Sequence, residues 1–103
     1  MRQVVWSLGA LDDLDSIITY IAAKNPRAAL NVVDRIESTG NALGHMAIGR
    51  PGRVSGTYEM LVTGLSHIIA YAIEPRPDGT ERIVILRVIH GARDWPAEDW
   101  PKS

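Results

Sequence analysis

The sequence predicts an α+β domain of element order β-α-α-β-β-β, in which an N-terminal strand and a helical hairpin pack on a mainly antiparallel sheet. Apolar residues recur at helical spacing over residues 8–21 and again over residues 29–43, and the dipeptide Asn25-Pro26 separates the two runs. The second half holds three runs rich in β-branched residues, joined by short turn sequences. At 103 residues the chain is long enough for one modest core and too short for two, so residues 1–103 are expected to form one domain with 97–103 as a tail.

Val4, Val5 and Trp6 form a short strand closed by Ser7, whose hydroxyl suits a helix N-cap. Leu8, Leu11, Leu14, Ile17, Ile18 and Ile21 then repeat every three or four residues, the pattern of an amphipathic helix. Asp12, Asp13 and Asp15 fall near its start, where the helix dipole favours acids, and read as a solvated face rather than a metal site. Pro26 ends this helix, because it disfavours helical geometry at Asn25, and the pair then caps and starts a second one. Ala29, Val33, Ile36, Gly40 and Leu43 make its stripe; Gly40 costs about 1 kcal/mol against alanine unless two backbones approach closely there.

Residues 44–56, "GHMAIGRPGRVSG", read as a loop from their glycines and proline. The runs at 57–62, 67–74 and 81–90 follow, connected by "TGLS" and "PRPDGT", which are turn sequences suited to adjacent antiparallel strands. The last run is apolar on both faces, as a central strand is. Regular alternation would send Ile83, Ile85 and Ile89 one way and Val84, Leu86 and Val88 the other.

Eleven Lys and Arg against 12 Asp and Glu give a net charge of -1, a poor start for gripping nucleic acid, so direct DNA binding by this chain alone is not expected. Six arginines and all three histidines fall in residues 45–93, and any anion-binding surface must come from there. The absence of cysteine removes disulfides and thiolate metal sites and fits a cytoplasmic setting. The N-terminal residues do not resemble a signal-peptide core, and no run approaches the roughly 20 apolar residues of a membrane span.

The chemistry-bearing residues gather in two places. In "GRPGR", Arg50 and Arg53 lie among glycines that let backbone approach a ligand, and arginine forks suit carboxylate or phosphate. In "RVIHGARDW", Arg87, His90, Arg93 and Trp95 crowd the end of the last strand. Arg87 interrupts an isoleucine row, so it needs either a carboxylate such as Glu59 or Glu74 on a neighbouring strand or an intermolecular partner. His90 could be a general base or a strand-end histidine bonded to a loop carbonyl. Three residues apart, Arg87 and His90 face opposite ways on a regular strand, and a bulge at Gly91 would be needed to reunite them. There is no P-loop, serine elbow, His-x-x-x-His pair or strand-end carboxylate dyad, and no cofactor or metal is expected.

The words "VVWSLGALDDLDSIITYIAAKNPRAA", "GRPGRVSGTYEMLV", "HIIAYAI" and "VILRVIHGARDWP", in that order over about residues 4–96, resemble the RelE/ParE superfamily of bacterial toxins on its ParE side. The resemblance implies a chromosomal or plasmid-stabilising type II toxin, held inactive by a cognate antitoxin. That partner would be ParD-like, with a ribbon-helix-helix DNA-binding part and a tail that wraps the toxin. RelE-like members are ribosome-dependent mRNA endonucleases using basic residues and a terminal histidine or tyrosine; ParE-like members share the fold and inhibit DNA gyrase. Ile68 and Ile69 stand where the nucleases often place an arginine, so the resemblance implies a non-catalytic gyrase inhibitor, with a ribonuclease using His90 and Arg87 as the alternative. Two departures concern the target: Tyr58 stands where ParE-like toxins often have arginine, and the tail is longer and Trp-bearing. Arg50, Arg53, Arg87, His90, Arg93 and Trp95 are the residues expected to bind antitoxin or target.

Overall fold

A computed structural model describes residues 2–45, 49–52 and 54–90. Its elements run β1 (Gln3–Trp6), α1 (Leu8–Ala22), α2 (Pro26–Ala42), β2 (Arg50–Pro51), β3 (Tyr58–Leu61), β4 (His67–Pro75) and β5 (Glu81–His90). Among the described residues these strands form one sheet of five, in the order β1-β5-β4-β3-β2. β1 lies parallel to β5, and every other pairing is antiparallel. The expected meander is therefore present, and it is widened on both sides. β1 joins its inner edge, and the two-residue β2 arises inside the segment expected to be loop throughout.

The two helix starts follow the predicted chemistry. Ser7 is extended and its Oγ accepts from the Ala10 amide at 3.1 Å, while Asn25 Oδ1 accepts from the Ala28 amide at 3.1 Å with Pro26 as first helical residue. Both bonds satisfy amides that a helix leaves orphaned at its start. The hairpin covers one face of the sheet. Between them sits the main core, built on Leu14, Ile36, Leu43, Ile69, Tyr71, Ile83, Ile85 and Val88 with Trp6 packed against it. The opposite, outer face carries a second cluster of Ala70, Val84 and Leu86, joined by Val54 and Ala72.

Regular alternation fails in β5 at one point. The pairing with β4 runs Ala70 with Arg87 and then Tyr71 with Ile85, so Leu86 is an extra residue, a β-bulge. Beyond it the faces exchange: Ile83 and Ile85 belong to the helix-side core and so does Val88, whereas Ile89 is buried outside that cluster. The expected grouping of Ile83, Ile85 and Ile89 is thus corrected, because one inserted residue shifts the two-residue period by one. The last turn is as predicted: Gly79 takes a φ of 86° and Asp78 Oδ1 accepts from the Thr80 amide and hydroxyl.

Gly40 is explained by a side chain rather than by a second backbone. A Cβ there would lie 2.5 Å from Trp6 Cζ2 and 2.8 Å from Ile85 Cδ1, and Trp6 is pinned by its indole N–H donating to Asn41 Oδ1 at 3.0 Å. Alanine improves helix propensity by about 1 kcal/mol, but overpacking a fixed ring costs about 1–3 kcal/mol. Gly40→Ala is therefore expected to lower stability in urea unfolding; a rise in the midpoint would mean that the indole moves aside freely.

Candidate functional site

β1 ends at Trp6 opposite Ile85, and β5 continues to His90, so among the described residues the rest of that edge of β5 has no strand beside it. α1 supplies the missing partners. The Ser7 amide donates to the Ile85 carbonyl at 3.0 Å, the Ser7 hydroxyl donates to the Leu86 carbonyl at 3.1 Å, and the Val88 amide donates to Asp13 Oδ2 at 2.9 Å. The same carboxylate receives the Arg87 guanidinium in a two-point grip, Nε to Oδ2 at 2.7 Å and Nη2 to Oδ1 at 3.0 Å. The pair is largely shielded, with 18% and 16% of the two side chains exposed. Bidentate geometry with a third donor is the arrangement that offsets the desolvation of both charges.

Two sequence readings are corrected here. The carboxylate that Arg87 grips is Asp13 of α1, while Glu74 holds Arg82 at 2.6 Å and Glu59 lies 3.6 Å from Arg50. Nor is the aspartate triplet simply a solvated helix start. No acid falls in the first turn, Asp12 and Asp15 are exposed, and Asp13 turns inward on the flank that carries Leu14 and Ile17. The sequence held one signal for this: a strand arginine required a carboxylate, and of the three aspartates Asp13 stands four residues before the inward Ile17.

Arg50 reaches the same row of the sheet from the far side. It pairs in register with Glu59, Glu59 with Ala70, and Ala70 with Arg87, so a line crosses from β2 to β5 on the outer face. Arg50 and Arg87 are three strand spacings apart, about 14 Å. Glu59 is 4% exposed, with Arg50 Nη2 3.6 Å from its Oε1, while the Arg50 side chain itself is 71% exposed. The row therefore presents one accessible guanidinium at its edge and one committed to Asp13.

His90 belongs elsewhere. It lies directly across from His67, their ring centroids 5.5 Å apart and the planes at 80°, on the face beneath α1. The two imidazoles floor a cleft of about 370 Å³ whose roof is Ser16, Ile17, Tyr20 and Ile21. Nothing in the sequence marks His67 beyond its place at the start of a strand run. Arg87 and His90 are thus on different faces, as strand parity requires; the bulge shown in β5 lies before Arg87, and Gly91, where one was expected, lies outside the described residues. Arg53, Arg93 and Trp95 lie outside the described residues. Among the described residues no three potential ligands cluster to hold a metal, and no helix is long and apolar enough to cross a membrane.

The family described as "ParE toxin of type II toxin-antitoxin system, parDE" matches residues 4–95. The chain belongs to the ParE toxin family. A relative in Sinorhizobium fredii named "Putative toxin Y4kP" is 38% identical over 96 residues, covering 92% of this chain and 94% of its own length. The fold matches a chain of the chromosomal ParDE system from P. aeruginosa with a TM-score of 0.78, at 24% identity over 87% of this chain and 96% of that one. It also matches a chain of the toxin-antitoxin complex RelBE2 from Mycobacterium tuberculosis with a TM-score of 0.52, at 24% identity over 86% and 96%. Within this ParE-family fold, Asp13 and Arg87 act first as a clasp between α1 and β5.

Removing either half of the clasp is expected to have unequal effects. Arg87→Ala leaves Asp13 with the Val88 amide and should cost about 2 kcal/mol, whereas Asp13→Ala leaves a shielded guanidinium and an unpaired amide and should cost about 3 kcal/mol or more. Urea unfolding of both single variants and the double variant measures the order and the coupling. Equal, small losses would mean that the pair is solvated and contributes little.

Proposed function

We propose that this ParE-family toxin is neutralised by a cognate, ParD-like antitoxin and arrests growth by inhibiting DNA gyrase, without cutting RNA itself. The observation that carries the non-catalytic reading is the commitment of Arg87 to Asp13, on a different face from His90. A phosphodiester-cleaving site needs a base and a cation converging within hydrogen-bond reach of one substrate. Breaking the clasp to free Arg87 would leave the Val88 amide and Asp13 to be satisfied elsewhere. The near-neutral net charge agrees, since holding messenger RNA against the ribosome draws on an excess of positive charge.

For the antitoxin, the accessible Arg50 at the sheet edge supports docking of an acidic segment, with Arg53, Arg93 and Trp95 as further proposed contacts. An exposed arginine at the rim of an interface contributes modestly and through electrostatics.

Expression of the chain alone is expected to arrest growth, and co-expression of the adjacent antitoxin gene to restore it. In extracts, the purified toxin should inhibit gyrase supercoiling and leave translated messages uncut in primer extension. Site-specific cuts with normal supercoiling, abolished by His90→Ala, would establish the ribonuclease instead. Arg50→Ala is expected to weaken antitoxin binding by about 1 kcal/mol or less at low salt, with the difference vanishing as salt rises; calorimetry at two salt concentrations reads this directly.

A further inference from the structure

We propose that His67 and His90 form a proton-operated joint: with both imidazoles neutral, the second half of α1 seats on the end of the sheet, and protonation beneath it loosens that half of the helix. The inference stands apart from the choice of cellular target. Its basis is where the pair sits. His67 and His90 are directly opposed across β4 and β5, edge to face at 5.5 Å, and Ser16, Ile17, Tyr20 and Ile21 of α1 lie over them. Nδ1 of His67 is buried and finds no hydrogen-bond partner among the described residues. A neutral imidazole tolerates that as a bare acceptor nitrogen, whereas an imidazolium must place a proton there with nothing to receive it.

The charges around the pair do not favour an imidazolium. From α1 the cleft receives Asp13, Ser16 and Tyr20, and Asp13 is the one carboxylate among the described lining residues. Asp13 is already held by the Arg87 guanidinium and the Val88 amide, so its charge is largely spent. From β5 comes His90, a like charge once protonated, and Lys24 lies on the outer side of Tyr20, 5.1 Å from its ring centroid. The residue's own carbonyl is occupied by the Val62 amide. Burial first, and then His90, hold the His67 imidazole below the ordinary histidine range.

The sign follows from proton counts. In the unfolded chain His67 takes a proton as pH falls through about 6.5, and in the folded chain it takes one only at lower pH. Below about 6.5 the unfolded state therefore binds more protons, and stability declines until the folded-state value is passed. Above that window the stabilisation is fully present. The same linkage applies to partial opening of α1, which exposes the pair without unfolding the sheet.

Three measurements on the full chain test the joint. A histidine NMR titration should place His67 below its ordinary value. Urea midpoints should stay flat above pH 7 and fall between pH 6.5 and 5; His67→Gln should remove most of that fall, and His90→Gln should reduce it. Amide protection at residues 16–21, corrected for intrinsic rates, should drop severalfold from pH 7.5 to 5.5 while residues 83–85 of β5 keep theirs. The proposal is overturned if His67 titrates at 6.5 or higher, if His67→Gln and wild type lose stability in parallel, or if α1 and β5 lose protection together. Should His67→Gln fail to fold, the wild-type titration and exchange pattern decide alone.

Discussion

A central strand that outruns its neighbour leaves amides and carbonyls that something else must bond, and this constraint organises the molecule. β5 is ten residues long and β1 only four, so β1 covers one end of the edge and stops at Trp6. The chain answers by turning directly into α1 and using that helix as a substitute strand. Ser7 serves two roles, capping α1 through its accepting oxygen and donating to Leu86 through its proton. Asp13, almost two turns later, reaches Val88. The angle of α1 on the sheet is set by these bonds, since moving the helix would break both.

The consequences spread from that edge. With α1 fixed, the hairpin lies over one face, and Trp6 fills the space that Gly40 leaves open on α2. The bulge at Leu86 falls where strand pairing hands over to helix pairing, and it keeps Leu86 with the outer cluster while bringing Val88 to the core. It also settles the side-chain roles downstream. Arg87 stays in the row of Ala70, Glu59 and Arg50, and His90 falls beneath α1 beside His67. The bulge sets which face each group takes, and the three-residue spacing beyond it keeps them on opposite faces.

Local chemistry was the legible part. Ser7, Asn25-Pro26, the helix stripes and the two turn sequences each act within a few residues, and each element stands within about a residue or two of where those signals put it. The β2 ladder was invisible because two residues, one of them a proline, carry no alternation. The bulge was invisible for a different reason: an isoleucine-rich strand is apolar on both faces, so slipping the period by one leaves the pattern unchanged. Asp13 and Arg87 lie 74 positions apart. Their meeting depends on the strand order, which composition and periodicity do not encode. The acids that strand pairing offers Arg87 are Glu59 and Glu74, and the carboxylate it takes lies on a helix instead.

The clasp bears on why one fold can host unlike toxic mechanisms. The scaffold positions a strand end, a helix flank and an open face, and the residues placed there decide what chemistry is possible. In this chain the flank position holds an aspartate, which takes up the strand arginine on a different face from His90. A cleaving site at that strand end needs a cation left to face the substrate on the same side as its base. The same aspartate that lets β5 end without a strand beside it therefore works against catalysis at that strand end. One side chain thus bears both on the edge of β5 and on the proposed non-catalytic reading, and a chain that used Arg87 for catalysis would need another means of closing that edge.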